Sequence, residues 1–227
     1  MKNPSTSNFT VVIKKDCPTC LLIEPVLGEL VASFPGKISV YVQDDPDFPA
    51  SIDTKIDDTS LEFSYRNKIE IVPTLICSNE EQEVARTVGW DKSEWQQLTG
   101  LSALGTDLID FKPGCGSKSQ DPGMEDQLAA RFDSDLLAAR KVELADSEDE
   151  IEACFDRGWS DGLPIVPPTS LRVIRMLKGT NREANEIIGN VPPNNFPCTI
   201  EKVAINAVMA GCKPEFFPTV LASVEAA

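Results

Sequence analysis

Phe9 to Ile13 is a short apolar run with Val11, Val12 and Ile13 β-branched, and this predicts a buried strand. The run stops at Lys14-Lys15-Asp16. Beyond it Leu21, Leu22, Val26, Leu27, Leu30 and Val31 recur at the spacing of one helix face. Cys17-Pro18-Thr19-Cys20 falls where the strand hands over to that helix. Phe34-Pro35-Gly36-Lys37 then turns the chain into a second strand, Ile38 to Val42. Gln43 to Ser60 is polar and Asp-rich and reads as a connector, with Leu61 to Asn67 as a short helix after it. Thr74 to Cys77 and Val84 to Val88 predict an antiparallel strand pair, and Ser93 to Leu98 starts a closing helix. Trp90 and Trp95 flank that helix and are expected to pack the interior.

The character of the chain changes after residue 100. Residues 106–123, with Lys112-Pro113-Gly114-Cys115-Gly116-Ser117 at their centre, read as a flexible, exposed linker carrying one cysteine. Cys115 is there either a bystander thiol or one that exchanges with the CxxC pair. Met124 to Arg157 is helical in tone, with Leu128, Phe132, Leu136 and Leu137 on one face. Gly158 to Thr169 is too proline-rich for regular helix and ends at a cap, Thr169 or Ser170, before the amphipathic Leu171 to Leu177. A second proline pair, Pro192-Pro193, precedes a helix from Thr199 to Ala210, and a last helix starts near Pro214. The expected organisation is therefore a domain over 1–105, a linker over 106–123 and a mainly α-helical region over 124–227. Phe216 to Ala226 is apolar on much of its surface, so that region is expected to need a partner chain or a second copy to cover its helices.

Composition narrows the chemistry. The chain has 227 residues, of which 41% are hydrophobic, enough for a substantial core. Its formal charge of −15 argues against nucleic acid and against anionic membrane surfaces as partners. No histidine is present, which removes the commonest catalytic base, serine triads and most catalytic metal sites. The polar start and the lack of a long apolar run predict neither export nor a membrane span. Seven cysteines in such a chain then point to the reducing cytoplasm. The acids Asp44, Asp45, Asp47, Asp53, Asp57 and Asp58 lack the spacing of a calcium loop and read as a solvated acidic loop. No metal or cofactor is called for.

Cys17 at the start of a helix faces unpaired backbone N–H groups, which favour its thiolate, the attacking state in disulfide exchange. Pro18 suits the first helical position because it has no N–H to leave unsatisfied. Cys20, one turn on, is placed to close a disulfide with Cys17. The same CxxC could be half of a zinc site or an inert buried pair. A zinc site needs two further ligands, and only scattered cysteines remain to supply them.

A strand, CxxC and a helix carrying Pro25 resemble the active site of the thioredoxin superfamily, and Val72-Pro73-Thr74 resembles its cis-proline loop. The resemblance covers about residues 8 to 100. It implies an α/β thioredoxin-like domain, a mixed sheet flanked by helices, with Cys17 as nucleophile and Cys20 as resolving thiol. Val72, Pro73 and Thr74 would bind the substrate, and the residue before the proline would present backbone to it. Two positions depart from the family: Asp16 replaces the tryptophan before the first cysteine, and Val11 replaces a buried acid on the strand. An adjacent carboxylate should raise the Cys17 pKa, while Lys14 and Lys15 should lower it.

In the second half, Asp161 to Thr169 (DGLPIVPPT) and Ile200 to Cys212 resemble segments of an uncharacterised bacterial family linked with UGSC-type (seleno)proteins. Asp161, Gly162, Thr169, Glu201, Lys202, Asn206 and Cys212 are the candidates for chemistry there, loop-and-helix scaffolding being the alternative. Three functions follow. The chain is a thiol–disulfide oxidoreductase acting on a protein or small-molecule disulfide, an electron-delivery and docking subunit for a catalytic module elsewhere, or a non-catalytic interaction scaffold.

Overall fold

The computed structural model describes residues 7–80, 82–133 and 137–226, so the helical spacing read through Leu136 lies partly outside it. The chain divides into two compact units between Leu128 and Ala129.

In the first unit, β1 (Asn8–Ile13) leads through Cys17 into α1 (Pro18–Leu22) and α2 (Glu24–Ser33). The single helix expected here is split at Ile23, because Pro25 has no N–H to continue the ladder. Val26, Leu27 and Leu30 on α2 are fully buried, as their spacing requires. β2 (Ile38–Val42) runs parallel to β1. The expected connector contains a further edge strand, β3 (Lys55–Asp57), parallel to β2. After α3 (Glu62–Arg66) come β4 (Ile71–Val72), β5 (Thr74–Asn79) and β6 (Gln82–Val88). β5 runs antiparallel to both β1 and β6. The result is a five-stranded mixed sheet in the order β3-β2-β1-β5-β6 flanked by helices: a thioredoxin-like fold.

β7 (Trp90–Asp91) and α4 (Lys92–Thr99) close this sheet. Trp90 and Trp95 are wholly buried in edge-to-face contact, their indole N–H groups donating to Ile109 O and Gly89 O. The acidic connector is only partly solvated. Asp44 accepts the Lys15 and Asp16 amides, and Lys15 is ion-paired to Asp45. Asp58 is buried, where its carboxylate accepts bonds from Phe63 N, Ser64 N and Ser64 Oγ.

The stretch expected to be a flexible linker is built into this unit. β8 (Phe111–Lys112) pairs with β7, and β9 (Cys115–Gly116) pairs antiparallel with β4. A 3-10 turn, Lys118–Gln120, follows. Its backbone polar groups find partners on the domain, so it lies down as a strap. The first compact unit accordingly runs well past residue 105, to Leu128.

The helix α5 (Met124–Phe132) crosses the division between the units. In the second unit, residues 137–149 are irregular, so the helical tone read through Arg157 holds only for α5 and for α6 (Glu150–Asp156). α7 (Ser170–Leu177) is capped by Thr169, as one of the two expected positions. The proline pair read as an interruption instead forms the turn of a hairpin, β10 (Ile187–Val191) and β11 (Phe196–Thr199). Then come α8 (Ile200–Met209), capped by Thr199, and α9 (Phe217–Glu225). The last helix is not bare. Phe217 and Leu221 are buried in a second core with Val173, Met176, Ile200, Val203 and Ala207.

Candidate functional site

The end of β1 carries Cys17 to the N-cap of α1, where its Sγ accepts the Cys20 amide at 3.4 Å. α1 has only five residues, so individual donors rather than a long helix dipole act on the sulfur. The Cys17 thiol is held down to about 5. The Cys20 thiol bonded to it contributes most, burial opposes, and the Cys115 thiol and the Cys20 and Thr19 amides add to the lowering. Cys20 is driven the other way, chiefly by burial, then by its bond to Cys17 and that neighbour's charge. Their surroundings therefore drive the two sulfurs apart, Cys17 toward the thiolate and Cys20 toward the thiol.

Cys17 is not exposed, as a reactive thiol read from sequence would be; only 1% of its surface is open. The strap covers it. Thr19 Oγ1 donates to Pro113 O at 2.6 Å, and Lys112 Nζ donates to Pro18 O at 3.0 Å. On the far side the Ser117 amide donates to Glu70 O at 2.8 Å, and Ser119 Oγ to Ile69 O at 2.8 Å. A buried polar knot fixes the end of the strap. Gln43 Nε2 donates to both Ser64 Oγ and Ser117 Oγ at 2.7 Å, and Gln43 Oε1 accepts the Lys118 amide.

The Val72–Pro73 peptide is cis, and Val72, Pro73 and Thr74 are all buried beside the dithiol. The protonated Cys17 S–H reaches Val72 O at 3.5 Å, and Thr74 Oγ1 closes a turn onto Ile71 O at 2.5 Å. The backbone of Ile71 and Val72 is paired with Gly116 and Cys115, so the strap occupies the edge that the sequence reading assigned to a substrate. Cys115, half-buried, is a free thiol opposite Val72; its pKa is raised first by burial, then by hydrogen bonding with the Cys17 thiol and by the Cys17 charge. The sequence left Cys115 open between a bystander thiol in a linker and one that exchanges with the dithiol. The signal that could have found it is Gly114, where a side chain has no room because Ile71 and Val72 approach so closely.

The second-half candidates are only partly gathered. Thr169, Glu201 and Asn206 line a cleft of about 910 Å³, together with Cys154 and Trp159; Asp161, Gly162, Lys202 and Cys212 are not part of its lining. The polar groups are engaged locally. Glu201, 4% exposed, accepts the Ala138 and Ala139 amides, Thr169 caps α7, and Asn206 Nδ2 donates to Lys202 O. Lys202 Nζ donates to Pro197 O, Asp161 closes a turn onto the Leu163 amide, Gly162 sits in that loop with φ +101, and Cys212 packs against the second core.

Among the described residues, no cluster of three or more His, Cys, Asp or Glu side chains is arranged to hold a metal ion, and no helix is long and apolar enough to cross a membrane.

No protein-family model matches the chain, and no curated protein matches it in sequence. Among solved structures it is similar to the germline-specific thioredoxin Deadhead of Drosophila melanogaster, at 16% identity, over 43% of this chain and 82% of that one, with a TM-score of 0.31. It is also similar to reduced Schistosoma mansoni thioredoxin, at 17% identity over 46% and 80% of the two chains, TM-score 0.31. A third likeness is Chlamydomonas reinhardtii thioredoxin f2, at 19% identity over 41% and 75%, TM-score 0.31. The thioredoxin-like architecture of the first unit stands on its own strand order and register.

Proposed function

We propose that the first unit is a thiol–disulfide exchange centre in which Cys17 attacks a substrate disulfide and Cys20 resolves the mixed disulfide. The observation that carries this reading is the opposed environment of the two sulfurs: a thiolate fed by thiol and amide donors at Cys17, and a buried thiol at Cys20. Attack by the Cys17 thiolate forms a Cys17–substrate disulfide and releases the substrate's other sulfur as a thiolate. The Cys17 charge, which adds to burial in holding Cys20 protonated, is then gone, so Cys20 passes its proton to the released thiolate and attacks the Cys17 sulfur. That step closes Cys17–Cys20 and frees the second substrate thiol. No cofactor is needed, and the surroundings suited to this chemistry are the reducing cytoplasm.

The covered dithiol supports a narrow range of partners. An open reductase exposes its nucleophile, whereas here the strap must leave the Val72–Pro73–Thr74 edge before a substrate strand can pair with it. This favours delivery of electrons to a dedicated protein partner that displaces the strap, with the second unit as the docking element.

The test is trapping with the full chain carrying Cys20→Ser, which blocks the resolving step. A covalent adduct through Cys17, released by a reductant and lost in the Cys17→Ser, Cys20→Ser double variant, is the expected result. Failure of the wild-type chain both to form a Cys17–Cys20 disulfide and to reduce any disulfide would leave only the scaffold reading.

A further inference from the structure

Three thiols share one site, and they differ in depth. Cys17 and Cys20 are 1% and 0% exposed, whereas Cys115 is only half-buried. Cys115 is not there by the accident of a loose loop. β9 sets its Cα opposite Val72, and bonds from Thr19, Lys112, Ser117 and Ser119 fix the strap on both sides of it. The flanking Gly114 has no side chain at the one point where Ile71 and Val72 would collide with it. This arrangement sets Cys115 opposite Val72, whose carbonyl oxygen lies 3.5 Å from the Cys17 sulfur, so the two thiols meet across one residue of β4.

We infer that Cys115 is a third redox thiol of this centre, which takes the disulfide of Cys17 over from Cys20 and presents it at the surface to an external thiol. The inference rests on the exchange reading above.

The step balances without an oxidant. Starting from the Cys17–Cys20 disulfide, the Cys115 thiolate attacks the Cys17 sulfur. The Cys17–Cys115 bond forms, the Cys17–Cys20 bond breaks, and Cys20 leaves as a thiolate that takes up a proton. Burial of Cys20 favours that protonation and so draws the exchange outward. An external thiol then attacks the Cys115 sulfur, releasing Cys17 as its stable thiolate and leaving a mixed disulfide on Cys115. A second external thiol removes it, so that two thiols are oxidised to one disulfide and the protein is returned to three thiols. The covered pair is thereby recharged without the strap having to open. Cys115 is favoured over any outside thiol for the first step because it is already held at the reacting sulfur.

The experiment uses the full chain. Wild-type and Cys20→Ser proteins are treated with a stoichiometric aromatic disulfide (5,5′-dithiobis(2-nitrobenzoate)), quenched in acid with N-ethylmaleimide, and mapped as non-reduced peptides. A Cys17–Cys115 linked peptide is expected as a minor species in wild type and as the principal one in Cys20→Ser. In parallel, oxidised wild-type and Cys115→Ser proteins are recharged with glutathione; Cys115→Ser is expected to be slower by about tenfold. A map showing Cys17–Cys20 in wild type but no Cys17–Cys115 peptide in either protein would overturn this inference while leaving the exchange reading intact. Equal recharging rates would overturn it as well. A wild-type protein that forms no Cys17–Cys20 disulfide would instead remove the exchange reading, and the Cys20→Ser map would still decide whether Cys17 and Cys115 react.

Discussion

Gly114→Ala tests whether the strap controls access to Cys17. A Cβ at this position would stand 2.7 Å from the Val72 carbonyl oxygen and closer still to Ile71 Cγ2. Ordinary contact begins near 3.4 Å, and the obstructing oxygen belongs to backbone that cannot swing aside. Val72 ends β4 and is buried in the first core, so the strap is the side that must yield. Overpacking of this kind costs about 1–3 kcal/mol. Against it stand a handful of strap hydrogen bonds worth about 0.5–1.5 kcal/mol each. The open population of the strap should therefore rise by about 5- to 150-fold, at about 1.4 kcal/mol per tenfold. The assay is alkylation of the reduced protein by iodoacetamide, with Cys17 and Cys77 followed separately by peptide mapping. Cys17 should react faster by that factor, and amide exchange at Gly116 and Ser117 should quicken with it. Cys77, buried in the sheet and away from the strap, should be unchanged. An unaltered Cys17 rate would refute the gating role of the strap. Equal acceleration at Cys77 would show general loosening of the fold and refute it too.

Two further outcomes follow from the same geometry. The Cys17 pKa lies at about 5, below its ordinary value of 9.0, so its alkylation rate should fall only as pH drops through about 5 and should be flat from pH 6 to 8. A rate that keeps climbing tenfold per pH unit through that range, measured under the same opening conditions, would contradict the assigned thiolate. The sign for stability agrees: a depressed pKa stabilises the reduced fold above the unfolded value, and this contribution is lost as pH falls toward 5. In the second unit, Glu201→Gln keeps one acceptor but turns an N–H donor toward Ala138 or Ala139 N. Two donors facing each other at this buried side chain should cost about 1–3 kcal/mol, read as a lower denaturation midpoint in urea, and an unchanged midpoint would show that those bonds contribute nothing.

Local patterns were legible wherever the responsible interactions were close in sequence. The β-branched run at Val11–Ile13, the dithiol after it, the face of Val26, Leu27 and Leu30, and Thr169 as an N-cap all follow from periodicity and first-turn donors. Other features depend on segments that meet only in three dimensions. The Pro/Gly/Ser stretch around Cys115 has the composition of a linker, yet it pairs with Ile71 and Val72 because that edge leaves backbone groups open and Gly114 permits the approach. β3 is too short and polar to show as a strand without β2 beside it, and the Pro192-Pro193 turn reads as a break until Phe196–Thr199 folds back on Ile187–Val191. Sequence alone thus located the dithiol, because a CxxC at a strand-to-helix junction is a local arrangement. Only the tertiary structure decided that the nucleophile is covered and that a third thiol stands against it, because hydrogen bonds between Thr19 and Pro113 and between Glu70 and Ser117 close contacts that no local pattern encodes.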